Sequence, residues 1–278
     1  MEIKRIRSDI EGMTFHKENE VVWTSFPEFD RVAWLTNAFS TRIGGVSEGI
    51  FASMNLGFSL ESEHPERVAE NFRRFSAAVG FEPEHMVHTQ QEHKDRILRV
   101  GRNERGAGFA FPRPWTEVDG LVTNEPDVVL TIFGADCVPI FLADVAHKAI
   151  GAVHAGWRGT DLGIAGKAVR MMREEFDSDP VDMIAGIGPS ICGECYEVSG
   201  EVACRFPAEC VRPKANGKFM LDLHRANFLI LEEAGIPAGK IFPGNLCTAC
   251  NPDIFFSHRA THGQRGVCAG FLMIKGTA

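Results

Sequence analysis

Apolar residues recur along this chain at two spacings, one helical and one extended. In "HPERVAENFRRFSAAVG" (64–80) Val68, Phe72, Phe75 and Val79 fall on one face at helical spacing, and Gly80 is placed to stop the helix. "GTDLGIAGKAVRMMREEF" (159–176) predicts a second helix with Leu162, Ala165, Ala168, Val169, Met172 and Phe176 on its apolar face. "LDLHRANFLILEEAGIP" (221–237) predicts a third, with Asp222 as N-cap and Gly235 as stop. The remaining apolar runs have strand length. "VAWLTNAFST" (32–41) predicts an early strand or pair of strands, followed by the turn-rich "RIGGVSEGIF". "DVVLTIFGADCVPIFLAD" (127–144) predicts two buried strands around Ala135 and Asp136, and "HKAIGAVHAG", "VDMIAGIGPS" and "VCAGFLMI" one strand each. Strands and helices mix without strict β-α-β alternation, which predicts an α+β fold with mixed sheets. No G-x-G-x-x-G and no Walker loop occurs.

Composition narrows this picture. The 278 residues, 44% hydrophobic, suffice for one large domain or two small ones, and no linker, low-complexity tract or repeat divides them. The net charge of −8 argues against a broad nucleic-acid footprint but leaves room for a small anionic substrate gripped by local arginines. "MEIKRIRSDIEGMTF" has no apolar core of the signal-peptide kind, and the longest apolar run, "VVLTIFGA", is far too short for a membrane span. The expectation is a soluble cytoplasmic protein whose eight cysteines stay reduced, as core residues, metal ligands or nucleophiles.

Three polar residues stand at strand ends: His93 in "TQQEHKDRI", Cys137 in "GADCVPI" and His154 in "GAVHAGWRGT". Two imidazoles and a thiolate form a set that suits zinc, or copper, and leaves a tetrahedral position open. The gaps of 44 and 17 residues match no local metal motif, so a buried cysteine with two hydrogen-bonded histidines is the competing reading. A rival metal site is "CGEC" (Cys192, Cys195) with "CTAC" (Cys247, Cys250), although the 51 residues between the pairs far exceed the roughly 15–20 of a compact zinc ribbon. Arg42, Gly44, Gly45 and Ser47 could cradle an anion or form an ordinary tight turn. His258, Arg259, His262 and Arg265 could crowd a pocket mouth or lie on a surface loop. Trp157 and Arg158 could line a pocket for a flat ring, and Asp136 could orient a ligand or cap a turn.

Taken in order, "FSTRIGGVSEGIFASMNLG", "QQEH", "VDGLVT", "ADCVPIFLAD", "GAVHAGWRGT", "IGPSICGECYEV" and "CTACNPDIFFSHR" resemble the motifs of the laccase-domain family. That family is also called the multicopper polyphenol oxidases or peptidoglycan editing factors, and is described as purine nucleoside phosphorylases. The resemblance runs from about Phe39 onward. It implies one α+β domain in four layers, helix/sheet/sheet/helix. It implies one metal, usually zinc, on His93, Cys137 and His154. It implies phosphorolysis of adenosine, inosine and methylthioadenosine, together with adenosine deamination. On that reading His93, Cys137, His154 and Arg42 are the catalytic set, and Arg42, Ser47, Arg158 and His258 bind substrate. The partners expected are purine nucleosides and phosphate, with no nucleic acid and no membrane; a homodimer is left open. A copper-dependent polyphenol oxidase and a non-catalytic, metal-containing peptidoglycan-related binding protein are the alternatives. The chain departs from the family where a T-G-R stretch is expected: "HGQRGVCAG" puts Arg265 before the glycine and Val267 where the family arginine would fall.

Overall fold

The computed structural model describes residues 3–58 and 63–276. In chain order its strands are β1 (Thr14–Glu18), β2 (Val21–Ser25), β3 (Leu35–Ser40), β4 (Met86–His88), β5 (Ile97–Arg99), β6 (Gly120–Thr123), β7 (Val129–Gly134) and β8 (Val138–Asp144). They continue with β9 (Ala149–Ala155), β10 (Met183–Ile187), β11 (Glu197–Val198), β12 (Val211–Pro213), β13 (Phe219–Leu221), β14 (Ile241–Pro243) and β15 (Cys268–Ile274). The α-helices are α1 (Pro27–Asp30), α2 (Pro65–Val79), α3 (Trp157–Asp161), α4 (Ile164–Phe176), α5 (Gly200–Ala203) and α6 (Leu223–Glu233).

Two six-stranded mixed sheets stack face to face. The first runs β1-β2-β3-β15-β7-β4, and the second β14-β10-β8-β9-β6-β5. Their facing sides share a core that includes Phe39, Leu130, Phe141, Phe255 and Leu272. Close approach of the sheets depends on β15: a Cβ on Gly270 would lie 2.7 Å from the Phe141 ring, so only glycine admits that ring. Phe26 then meets Phe141 edge-on, centroids 6.2 Å apart.

The outer faces are covered by the predicted helices. Val68, Phe72 and Phe75 of α2 pack on the first sheet, where Phe75 stacks on Phe271 at 4.7 Å. Residues of α4 and α6 cover the second sheet. The order is therefore helix/sheet/sheet/helix, as the resemblance implies. Asp222 caps α6 by accepting the Arg225 N–H at 2.9 Å, and Gly80 ends α2 in the left-handed region at φ 91°.

One expectation fails in the segment after His154. The predicted helix over 159–176 is two helices, because Gly163 takes φ 72° and breaks the ladder between α3 and α4. Leu162, expected on the apolar face, is turned outward and 43% exposed. The early apolar run 32–41 resolves into the single strand β3.

Candidate active site

The second sheet delivers the site. β8 begins at Val138, directly after Cys137, and antiparallel β9 brings His154 opposite Pro139. His93 comes from the loop between β4 and β5. The ligand atoms of His93, Cys137 and His154 all lie within 4.8 Å of one another, so the three can hold one metal ion. His154 is buried, Cys137 half-buried and His93 exposed, which leaves one side of the cluster open.

Asp119, just before β6, organises both histidines, although nothing in the sequence reading singled it out within "VDGLVT". Its carboxylate accepts the backbone N–H groups of Glu92, His93 and Lys94 at 3.0, 3.0 and 3.1 Å. His93 sits at φ 57°, and this left-handed turn curls the three donors onto one carboxylate. The same carboxylate lies 2.8 Å from His154 Nδ1. Burial pushes the Asp119 carboxyl up, but the bond from His154 and those backbone donors outweigh it and hold the group below its usual range. It is therefore an acceptor, His154 Nδ1 is the protonated nitrogen, and Nε2 is free for a ligand role.

Burial likewise pushes the Cys137 thiol up, yet the neighbouring His154 and His93 bring it down to about 6. Burial pushes His154 down, while Cys137 and Asp119 raise it to about 9. Without metal the pair is a thiolate facing an imidazolium, and a metal would displace that proton.

Gly156 explains the glycine that follows the His154 strand. A Cβ there would stand 2.9 Å from the His93 ring and 3.0 Å from Cys137 Sγ, so the position is empty to let the ligands converge.

The cluster lies in the wall of a cavity of about 580 Å³, well inside the roughly 300–1,000 Å³ of small-molecule sites. The aromatic residues Phe133, Trp157 and Tyr196 line it beside Arg113, Arg158 and Arg265. Arg158 lies over Trp157 at 4.4 Å. Arg265 reaches the cavity from the other side of Gly266; among the described residues its Nε is buried without a partner, and its guanidinium makes a 3.3 Å contact to the Gly266 carbonyl. His258 and Arg259 also line the cavity; Arg259 lies over Tyr196 at 5.2 Å and donates to the Glu197 carbonyl at 3.0 Å. His262 is exposed and outside the lining.

Arg42 and Ser47 are not brought to the cavity. Arg42 donates to the carbonyls of Ala52 and Pro252, both at 2.8 Å, and stacks over Phe256 at 4.7 Å. Ser47 is buried and accepts the Asn71 amide at 2.9 Å. These residues brace the Gly44–Gly45 turn, and the cavity cations stand elsewhere. Asp136 ties loops together: Oδ1 accepts the Thr248 hydroxyl at 2.6 Å and Oδ2 the Arg259 N–H at 2.6 Å.

A model of the family described as multi-copper polyphenol oxidoreductase laccase matches residues 36–275. The chain belongs to this family. Among its relatives is the purine nucleoside phosphorylase YlmD of Bacillus subtilis (strain 168), 34% identical over 85% of this chain and 87% of that protein. A purine nucleoside phosphorylase of Deinococcus radiodurans is 39% identical over 83% and 85%. The crystal structure of YlmD from Geobacillus stearothermophilus superposes with a TM-score of 0.87 at 35% identity, covering 94% of this chain and 99% of that one. None of the helices of the described residues is long and apolar enough to cross a membrane.

Proposed function

We propose that the protein is a zinc-dependent purine nucleoside phosphorylase acting on adenosine, inosine and methylthioadenosine, with adenosine deamination at the same site. The observation that carries the reading is the His93, Cys137 and His154 cluster in the wall of a cavity that combines aromatic side chains with arginines. Relatives at 34% and 39% identity bear the name purine nucleoside phosphorylase, which supports it.

The donor set suits zinc: one thiolate and two neutral imidazoles, with a carboxylate behind His154. A zinc ion held there supplies a Lewis acid and a water of lowered pKa. The chain's own groups do the rest. Trp157, Phe133 and Tyr196 stack on the purine. Arg265 and Arg158 hold phosphate and keep its charge near the sugar carbon it attacks. The base leaves C1′ as the phosphate oxygen bonds to it and takes up the proton the phosphate gives up, giving free base and the corresponding sugar 1-phosphate. His258, on the same wall, contacts the sugar.

The test is a nucleoside panel with and without phosphate, with metal measured on the same sample. Inosine is consumed only with phosphate, yielding hypoxanthine and ribose 1-phosphate, and adenosine also yields inosine without it. Hypoxanthine released without phosphate overturns phosphorolysis. Oxidation of a phenol without nucleoside turnover favours the copper oxidase instead.

A further inference from the structure

The two C-x-x-C pairs, 51 residues apart in sequence, meet in space. β10 and β14 are parallel neighbours in the second sheet. The chain leaves the same end of each and runs into "CGEC" after β10 and "CTAC" after β14. The intervening segment, with the small β11-β13-β12 sheet and α6, is the crossover that parallel pairing requires. The two exits are then stitched together: Ser190 bridges Cys247, and the Thr248 N–H donates to the Ser190 carbonyl at 3.1 Å.

As a result the sulfurs of Cys192, Cys195, Cys247 and Cys250 all lie within 4.8 Å of one another. Four sulfurs around one ion at ~2.3 Å in a tetrahedron stand about 3.8 Å apart, so the quartet needs little movement to close. Cys195 Sγ and Cys250 Sγ are 3.4 Å apart. Two backbone N–H groups already point at sulfur: those of Cys192 and Cys250 donate to Cys247 Sγ at 3.3 and 3.4 Å. A thiol is a weak acceptor and a thiolate a strong one, so paired N–H donors on one sulfur suit a ligated cysteine. Cys192 and Cys247 are buried and Cys195 and Cys250 half-buried, which gives an ion a protected seat with an entry side.

We propose that Cys192, Cys195, Cys247 and Cys250 form a second, structural zinc site, separate from His93, Cys137 and His154. All four positions are protein sulfurs, so the site is closed to substrate. Its effect reaches the cavity through the loops it clasps. Ile191 and Tyr196 line the cavity from one loop, and Thr248 of the other holds Asp136. The Arg259 guanidinium reaches the Cys195 carbonyl at 3.5 Å. The ion thus fastens one wall of the cavity.

The test counts zinc in full-length protein purified under reducing conditions without chelator. Two zinc ions per chain are expected in the wild type, one in Cys137→Ala and one in Cys192→Ser/Cys195→Ser. Should the double variant fail to fold, cobalt-loaded wild type answers instead: intense sulfur-to-cobalt charge-transfer bands should exceed those of Cys195→Ser several-fold. Slow reaction of four thiols with a disulfide reagent should become fast on adding chelator. A wild type with a single zinc that Cys137→Ala loses completely overturns the proposal. So does a mass, measured without reductant, lighter by the hydrogens of two disulfides. Iron in place of zinc overturns the choice of metal. None of these readouts depends on nucleoside turnover, so the proposal stands or falls apart from the enzymatic one.

Discussion

Asp119 Oδ1 lies 2.8 Å from His154 Nδ1, and the same carboxylate gathers the backbone of the loop that presents His93. One buried group therefore sets both the protonation of one ligand and the position of another. Asp119→Asn should weaken zinc binding about 10- to 100-fold, since an amide can donate to Nδ1 and move the proton to Nε2. Competition with a chromogenic chelator measures the affinity. Wild-type zinc affinity in this variant would remove Asp119 from the site.

Gly156→Ala should cost activity without unfolding the protein. The added methyl meets His93 and Cys137 Sγ within about 3 Å, so the ligands must part. Displacements near 1 Å in a catalytic constellation cost about a hundred-fold in rate. Nucleoside kinetics alongside thermal melting will decide. A variant with a melting point near wild type and full turnover contradicts the packing argument.

Arg265 and Arg42 should separate cleanly. Losing a charge-assisted bond costs roughly 1.5–3 kcal/mol, or a ten- to 150-fold higher KM for phosphate in Arg265→Ala. Arg42→Ala should instead lose bonds to Ala52 and Pro252 and lower the melting temperature by several degrees, leaving the phosphate dependence intact. The comparison is steady-state kinetics at varied phosphate with melting of both variants. An Arg42→Ala enzyme with a raised phosphate KM and an unchanged melting point would return the anion role to Arg42.

His88 predicts an acid-sensitive term in stability. It is packed among Phe72 and Phe133, its Nε2 has no partner among the described residues, and burial, with Arg113 nearby, lowers its pKa to about 3. Protonation then favours the unfolded chain, whose histidine titrates near 6.5. The stability is complete above about pH 6.5 and is lost as pH falls toward 3. By pH 5 the loss is about 2 kcal/mol. His88→Phe should flatten that slope between pH 7 and 5 in urea unfolding. Equal slopes in variant and wild type would refute the assignment.

Much of this was legible in the sequence because it is local. The faces of α2 and α6, the N-cap at Asp222 and the strands β7, β8, β9 and β15 follow from spacing within a dozen residues. The helix after His154 was misread because Gly163 sits within an unbroken apolar period, and a residue tolerated in a helix gives no warning that it will turn left-handed. The cluster of His93, Cys137 and His154 was suggested by three metal-binding residue types at strand ends, and the structure brings their ligand atoms within 4.8 Å, whereas nothing pointed to Asp119. A lone Asp before a short strand looks like any turn residue until the loop at 92–94 folds over it. The cysteine quartet was named only as a rival, discounted for its long gap, because local spacing is blind to a crossover that returns β14 to the side of β10. Arg42 stands apart from the cavity because its guanidinium is spent on the carbonyls of Ala52 and Pro252, contacts its sequence neighbours do not announce.

β15 lies in the middle of the first sheet, hydrogen-bonded to β3 on one side and β7 on the other. During synthesis the ribosome therefore releases β3 and β7 long before the strand that joins them, and each waits with an open edge. Residues 268–274 act as a late zipper. Until they emerge, the sheet-to-sheet core around Phe141 cannot close, and the nascent chain is most open to mispairing or capture by chaperones in that interval.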